Sequence, residues 1–485
     1  MAKYLTTDTD LTSVANAIRT KGGTSAPLAY PAGFVSAIDA IPTGGGGEPV
    51  EEKDVNFIDY DGTILYSYTA AEAQELSALP DNPSHDGLTA QGWNWTLAQI
   101  KTQLTAFPGS VVYIGQMYVT SNGKTEIDVS FENANYLSPY LEITPRGTIA
   151  INWGDGGADE TITGNSLTFI QHTYTSIGEY TISIEVVSGE VWFNGVSNDY
   201  SSLLTEVGQN NLRLMGQAYS RCVKAIRLGN DVKMIYCAFQ GLIRCETITM
   251  PSNLKGIDAI SFKNCYGLRC IVIPSGFTKI LASSFFNCCS LVSISMPPSI
   301  TEIEMNAFNG CYFLQKIGLT SNLTIIGIGA FTNCYNLCTI KLPTGMASFG
   351  NNAFGACRSL RNLEIPSGVT SISNGLISNC HSIIEINLPN TVTSIGQTAI
   401  SNCYSLEKLV VPSSVTTIGA QAFANNYGAK EYHFLSETPP TLANSNAFSN
   451  IQAGTKIYVP SGKLTAYQTA DNWSTYATYM EEEPA

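Results

Sequence analysis

The chain of 485 residues exceeds what one ordinary domain needs and predicts several folding units. Hydrophobic residues make up 44% and charged residues only 13%, and together with 42 glycines and 24 tyrosines this favours a mainly β, multi-domain surface protein over a compact cytosolic enzyme. The formal net charge of −14 excludes nucleic-acid binding through phosphate contacts, because that affinity depends on cationic side chains.

Residues 1–43 predict a small helical module, and residues 44–54 a glycine-rich linker. Residues 11–23 and 30–34 resemble the N-terminal segments of tailed-phage structural proteins, which implies attachment to a virion tail or baseplate. The apolar helix faces that would make this attachment contain Leu11, Val14, Ile18, Phe34 and Ile38. The sequence has no apolar signal core after Met1 and no run of about 18 apolar residues, so neither ordinary secretion nor membrane insertion is expected.

Residues 55–110 predict a small α+β module that resembles a module of phage tail-associated proteins. Asp59 and Asp61 follow an apolar strand in a pattern that also resembles the nucleophile loop of haloacid-dehalogenase-like phosphatases, with Asp59 as nucleophile and Asp61 as acid/base. The stretch that follows lacks alternating strands and helices, so we prefer a β-turn at Asp61 that joins two strands. Trp93 and Trp95 are expected to be packing residues rather than a sugar platform.

Residues 111–190 predict antiparallel strands. The Trp-Gly-Asp-Gly turn at 153–156, the His-Thr-Tyr segment at 172–174 and the alternating strand at 178–184 resemble a PKD domain, which implies an immunoglobulin-like sandwich. The aromatic segment at 191–224 is expected to cap the array that follows.

Three polar residues of this region could in principle bind a ligand. We expect His172 to be a packed, hydrogen-bonded core histidine rather than a ligand-binding residue. Asp155 and Asp159 are expected to be turn carboxylates, and a calcium site is the alternative.

A repeat of 23 residues organises residues 225–448. Its aromatic column advances by 23 residues through Phe239, Phe262, Phe285, Phe308, Phe331, Phe354, Ile377, Ile400 and Phe423. One copy cannot bury its own apolar face, so the copies are expected to stack into a solenoid of short parallel strands. The pattern resembles BspA-like leucine-rich repeats, most clearly at 360–380 and 406–423, and this resemblance implies a binding scaffold without catalytic residues. Residues 449–485 resemble the closing cap of such arrays.

Seven cysteines of the repeat share one column: Cys265, Cys288, Cys311, Cys334, Cys357, Cys380 and Cys403. We expect buried, reduced thiols that behave as small hydrophobic side chains. The alternative is a metal or disulfide ladder, but no Cys/His set has zinc-site spacing, so no metal or cofactor is expected.

The residue after each of these cysteines, and Tyr427 at the matching place of the last repeat, form an outward-facing column that is a candidate for ligand binding. Its candidates are Tyr266, Tyr312, Tyr335, Arg358, His381, Tyr404 and Tyr427, with Cys289 at one position. Aromatic rings at regular spacing suit stacking on the apolar faces of sugars, although they could simply cover the solenoid. The competing surface is the strand face, with Lys316, Lys341, Arg361, Glu364, Glu385, Glu407 and Lys408, whose mixed charges favour a solvated face.

Together these patterns predict a virion tail-associated fibre that attaches by its N-terminus and recognises a host-surface glycan or protein through the repeats. A bacterial cell-surface adhesin and a head fibre are the alternatives, and the phosphatase is a remote third. Such fibres are commonly trimeric, so a homotrimer is an open expectation.

Overall fold

The computed structural model describes residues 50–194, 222–236 and 238–484, and the residues from Glu52 onward form one compact unit. The predicted attachment module at 1–43, with all five of its candidate residues, lies outside these stretches, as does most of the predicted cap at 191–224. Within the described stretches, no helix is both long enough and apolar enough to span a membrane.

The first module is a four-stranded sheet with two short helices. Its elements are β1 (Val55–Ile58), β2 (Ile64–Tyr68), α1 (Ala70–Glu75), β3 (Leu88–Trp93), α2 (Leu97–Ala106) and β4 (Val112–Thr120), and the strand order is β2-β1-β4-β3. Thr69 and Thr96 start the helices with capping boxes, in which the threonine side chain accepts a hydrogen bond from the backbone three residues later.

Strand β4 belongs to this sheet, so the module extends past the predicted boundary at residue 110. All nine residues of β4 are buried, because Ile114 packs with Ile100 and Leu104 while Tyr113 packs against Cys270 of the repeats. A strand covered on both faces shows no alternation of apolar and polar residues, which explains the misplaced boundary.

The next region contains β5 (Thr125–Phe131), a 3-10 turn (Ala134–Tyr136), β6 (Tyr140–Asn152), β7 (Glu160–Gly164), β8 (Thr168–Gln171) and β9 (Gly178–Asn194). Ile182 and Ile184 are buried, as the alternation predicts. Strand β6 pairs with β7, β8 and β9, and β9 pairs with β5, so hydrogen bonds connect all of these strands. Gly147 and Gly189 pair across β6 and β9 at positive φ, and a Cβ on either would lie within 2.1 Å of the partner strand's backbone.

This sheet continues directly into the repeats. Strand β10 (Val223–Arg227) pairs antiparallel with β5, and β11 (Val232–Tyr236) pairs parallel with β9. Strands β5 and β9 therefore cover the first coil, which would otherwise expose an apolar end.

The repeats form the predicted solenoid, a β-solenoid of about 11 turns with two columns of short strands. The first column, which we call the strand face, contains β12 (Thr247–Thr249), β14 (Cys270–Val272), β16 (Ser293–Ser295), β20 (Asn362–Glu364), β22 (Glu385–Asn387), β24 (Lys408–Val411), β26 (Glu431–Phe434), β28 (Lys456–Val459) and β29 (Met480–Glu482). The second column contains β13 (Gly256–Ile257), β15 (Lys279–Ile280), β17 (Glu302–Ile303), β18 (Ile325–Ile326), β19 (Ser348–Phe349), β21 (Ser371–Ile372), β23 (Ser394–Ile395), β25 (Thr417–Ile418) and β27 (Thr441–Leu442). Pairing within each column is parallel, and partners lie 23 residues apart in most coils, as Ile386 and Leu363 do, and 24 or 25 apart near the C-terminal end.

Two ladders of identical side chains fill the core between the strand columns. The rings of Phe262, Phe285, Phe308, Phe331 and Phe354 stack with centroids 5.3–5.6 Å apart and interplanar angles of 3–8°. The seven column cysteines are fully buried and unpaired, which confirms the prediction of reduced core thiols. Each thiol donates to a backbone carbonyl of the preceding coil, as Cys334 Sγ does to Phe308 O at 3.2 Å. In the last such coil Asn426 takes the cysteine position and donates to Ile400 O at 2.8 Å.

The segment after the last repeat closes the array. It contains α3 (Leu464–Thr469), a 3-10 helix (Trp473–Tyr479) and β29, which adds a parallel strand to β28. Trp473 is fully buried against Phe434 and Phe448, and its indole N–H donates to Pro440 O at 2.7 Å. The apolar end of the last coil is thereby covered.

Candidate functional site

A tight turn at the end of each coil places the candidate column on the surface. Asn333 and Asn402 adopt left-handed conformations with φ of 63° and 56°, which asparagine tolerates better than most residues. The following cysteine then points inward, and the residue after it points outward. Tyr266, Tyr404 and Tyr427 are 42%, 41% and 51% exposed, as expected for a surface column.

The side chains of this column stack on one another. Tyr312 and Tyr335 lie 4.9 Å apart at 3°, and the Arg358 guanidinium lies 4.4 Å from the Tyr335 ring centre. His381 stacks on Tyr404 at 4.4 Å, and Tyr404 on Tyr427 at 5.5 Å. The spacing of neighbouring parallel strands, about 4.8 Å, is close to the stacking distance of aromatic rings. We name these six residues, Tyr312, Tyr335, Arg358, His381, Tyr404 and Tyr427, the aromatic stack.

Stacking changes what the column can offer to a ligand. The ring faces within the aromatic stack cover one another, so a sugar could not lie flat on them as the sequence pattern suggested. The ring edges, the hydroxyl groups and the outer part of Arg358 remain at the surface. Burial, and secondly the charge of Arg358, lowers the pKa of His381 below its usual value, so this ring is neutral at pH 7. The stack is therefore suited to hydrogen bonding and to contact with ring edges.

The first half of the strand face is covered by the module at 52–120, which the sequence did not reveal. Asn94 donates to Ile273 O at 2.9 Å and to Ser295 Oγ at 2.9 Å, and the Trp95 indole donates to Met296 O at 2.8 Å. Farther along, Gln103 donates to Leu319 O at 3.1 Å. These contacts follow the strand face coil by coil.

Two of the predicted strand-face residues take part in this contact. The Lys316 ammonium lies 3.0 Å from a carboxylate oxygen of Glu52, and Lys341 donates to Pro108 O and lies 5.7 Å from the Phe107 ring centre. Both lysines therefore contribute to docking of the module.

Beyond the module the strand face is open. All three residues of β14 are buried, whereas only the central residue of β20 and of β22 is. Arg361, Glu364, Glu385, Glu407 and Lys408 are exposed there. Glu407 pairs with Lys430 at 2.7 Å and Lys408 with Glu431 at 3.5 Å, so part of the charge is neutralised between coils, as the interpretation of a solvated face predicted.

The two carboxylates of the phosphatase alternative lie at the turn between β1 and β2. Strands β1 and β2 form an antiparallel hairpin, with Gly62 N–H donating to Asp59 O at 3.1 Å, which confirms the predicted turn. Asp59 is buried and accepts from the Tyr118 hydroxyl at 2.8 Å while pairing with His85 at 2.6 Å. Asp61 accepts from Thr63 N–H within the turn. Both carboxylates therefore have local structural partners.

Asp155, Asp159 and His172 also have structural roles. Asp155 accepts from Gly157 N–H at 3.0 Å and pairs with His172 at 2.8 Å, and Asp159 accepts from Asn152 at 2.6 Å. His172 stacks on the Trp153 ring at 4.7 Å, as expected for a packed histidine. In the described part of the chain, no group of three His, Cys, Asp or Glu residues could hold a metal ion.

The two candidate tryptophans are packing residues, as predicted. Trp93 and Trp95 are 8% and 3% exposed, and the Trp93 ring meets Phe57 edge to face at 4.9 Å. What the sequence pattern missed is that Trp95 packs against the repeats. The one feature of the sequence that could have indicated this contact is the pair of tryptophans on either side of Asn94 just before a helix. That feature does not show which surface the tryptophans pack against.

Comparison with known proteins supports the assignment of the repeats. Residues 205–315 and 301–430 match the family model of the BspA type leucine rich repeat region, with six copies. The chain is thus mainly β, and its array contains leucine-rich repeats of the BspA type. The match covers neither residues 1–43 nor 111–190, so the phage and PKD resemblances remain predictions. No curated protein matches the chain.

Solved structures similar to this chain include other leucine-rich repeat proteins. A leucine rich repeat protein of T. pallidum is 26% identical over 34% of this chain and 72% of its own, with a TM-score of 0.28. A leucine rich cell surface protein of Faecalibacterium prausnitzii is 23% identical over 53% and 76%, with a TM-score of 0.35. The pneumococcal vaccine antigen PcpA is 17% identical over 49% and 72%, with a TM-score of 0.32.

Proposed function

We propose that the protein is a surface-recognition protein of the adhesin type, whose array binds a molecule on a cell surface and performs no chemistry. The observation that carries this proposal is the continuous outer surface that begins where the docked module ends. There the open strand face, with Ile384 54% and Val410 39% exposed, runs beside the exposed Tyr404 and Tyr427 of the aromatic stack. Exposed apolar and aromatic groups along a rigid, repeated scaffold are typical of an interaction surface.

Two settings fit this proposal about equally. In the first, the protein is part of a virion, attached to a tail or head through residues 1–43, and the array meets the host cell. The resemblance of residues 11–23 to phage structural proteins supports this setting. In the second, the protein belongs to a bacterial surface, and the array meets another cell or a host molecule. Immunogold labelling of virions and of bacterial envelopes with an antibody to the array would distinguish them.

Adsorption of the purified full-length protein to bacterial and animal cells tests the binding function. We expect saturable binding to one cell type, and the double change Tyr312→Ala and Tyr335→Ala should weaken it. Phe169→Ala is the matched control, since Phe169 is 62% exposed but lies on β8, outside the array. Absence of saturable binding to every cell type would contradict the proposal, and equal loss in the Phe169 variant would contradict the role of the stack.

A further inference from the structure

The lysines of the array from Lys279 onward all have a partner within the protein. Lys279 pairs with Glu302 at 2.6 Å and Lys463 with Glu437 at 3.0 Å. The lysines between them contact a carboxylate or a backbone carbonyl: Lys316 with Glu52, Lys341 with Pro108 O, Lys408 with Glu431, Lys430 with Glu407 and Lys456 with Glu481. Positive charge on this part of the surface is therefore largely neutralised.

The two arginines of the same stretch differ from these lysines. Arg358 and Arg361 lie three residues apart in one coil, and both are exposed. Within the described part of the chain, neither side chain has a carboxylate within ion-pair distance, although Glu364 and Glu385 lie on the same strand face as Arg361. From Lys279 onward, the exposed cations of the described residues that have neither an ion pair nor a backbone-carbonyl partner thus lie in a single coil, in a chain whose net charge is −14.

Arg358 is also held in a defined orientation. Its guanidinium lies over the Tyr335 ring at 4.4 Å, inside the aromatic stack. In the column, Arg358 lies between Tyr335 and His381. The residues that directly follow Tyr335, Arg358 and His381 in the chain are Asn336, Ser359 and Ser382, which carry no charge at neutral pH. A guanidinium stacked on an aromatic ring keeps its N–H groups directed sideways in the plane, where they match the two oxygens of a carboxylate.

We propose that Arg358 is the centre of a binding site for the carboxylate of an acidic sugar, with Tyr335 orienting its guanidinium and Arg361 at the rim. This inference rests on the proposed function and names the ligand class for that surface. A single guanidinium group among uncharged hydrogen-bonding side chains suits a ligand group with one negative charge and adjacent hydroxyls. A polyphosphate would need a cluster of cations and would be repelled by the acidic chain.

Titration calorimetry of the full-length protein with a glucuronic-acid oligosaccharide tests the proposal. The carboxyl-reduced oligosaccharide is the neutral partner ligand, and inorganic phosphate tests for general anion binding. We expect the acidic oligosaccharide alone to bind. Arg358→Gln should weaken binding by roughly 10- to 100-fold, as for loss of a charge-assisted hydrogen-bond pair. Arg358→Lys should restore it only in part, because lysine keeps the charge and loses the fork. Lys430→Gln, which removes an exposed cation that already has a partner, should have no effect.

The outcomes separate this inference from the proposed function. Three results would refute the acidic-sugar site and leave the recognition function intact, provided that the protein adsorbs to cells. These are equal binding of the acidic and reduced oligosaccharides, binding of phosphate alone, and unchanged affinity of the Arg358→Gln variant for the acidic oligosaccharide. Adsorption to cells with no affinity for either oligosaccharide also overturns the site. If no cell type is bound, the proposed function fails first.

Discussion

Docking of the module at 52–120 on the strand face should depend strongly on Asn94. This side chain is 1% exposed and makes three hydrogen bonds. It donates to Ile273 O and Ser295 Oγ, both at 2.9 Å, and accepts from Gly115 N–H at 2.9 Å. It therefore connects β4 of the module to two successive coils.

Asn94→Ala would leave two buried backbone groups without these partners, Ile273 O and Gly115 N–H. Ser295 keeps its bond to Tyr113 O at 2.7 Å and is not orphaned. Each unsatisfied buried group costs about 1–3 kcal/mol, so the free energy that holds the module in place should fall by about 3 kcal/mol. At about 1.4 kcal/mol per factor of ten, opening of this interface should become roughly 100-fold more frequent.

Hydrogen exchange followed by mass spectrometry measures this opening in the native protein. Peptides that cover β14 and β16 should exchange roughly 100-fold faster in the Asn94→Ala variant, whereas β24 and β26 should keep wild-type rates. Asn362→Ala is the matched control, since Asn362 is exposed on the open strand face. A variant that folds normally and exchanges within threefold of wild type at β14 and β16 would refute the assignment of these bonds to docking.

Three further predictions concern the core, the thiols and the acid stability. Phe308→Ala removes a fully buried ring from the phenylalanine ladder and should lower the free energy of unfolding by about 3–5 kcal/mol in urea titration; a loss under about 1 kcal/mol would contradict the packing. Of the described cysteines, only Cys289 and Cys338 are partly exposed, so a thiol reagent should label these two before the buried column thiols in the native protein; rapid labelling of Cys334 would contradict it. The Gly157 N–H, and secondly His172, holds the pKa of Asp155 below its ordinary value, so the stabilisation that Asp155 provides is present at neutral pH and is lost as pH falls through the lowered pKa. Asp155→Asn should therefore reduce the melting temperature at pH 7 and make it depend less on pH in the acid range. An unchanged dependence of the melting temperature on pH would contradict this.

The repeated part of the fold could be predicted because its information is local and periodic. A column of Phe308, Phe331 and Phe354 at constant spacing specifies both the inward side of each coil and its neighbour, since each copy can bury its apolar face only against the next. The inward position of Cys334 and the outward position of Tyr335 follow from the same register. The sequence also indicated that the column would be aromatic, but not that the rings would stack on one another. That depends on the distance between coils, which a one-dimensional pattern does not contain.

Contacts between distant segments could not be predicted in the same way. Lys316 and Lys341 contact Glu52 and Pro108, from segments more than 200 residues away, and nothing in the strand-face pattern indicated these partners. The boundary near residue 110 failed for a related reason, because β4 is buried between the helices of its own module and the repeats.

The amino-acid sequence by itself determined the solenoid, its register, its buried thiols and the turn at Asp61, since each follows from neighbours along the chain or from a repeat of fixed length. Only the tertiary structure decided which part of the solenoid is free to bind. The module covers the first coils through hydrogen bonds such as that of Trp95 to Met296 O, and it leaves Arg358 and the later coils exposed. The physical reason is that docking depends on the complementary shape and polarity of two surfaces, and neither surface carries a periodic signal that names its partner.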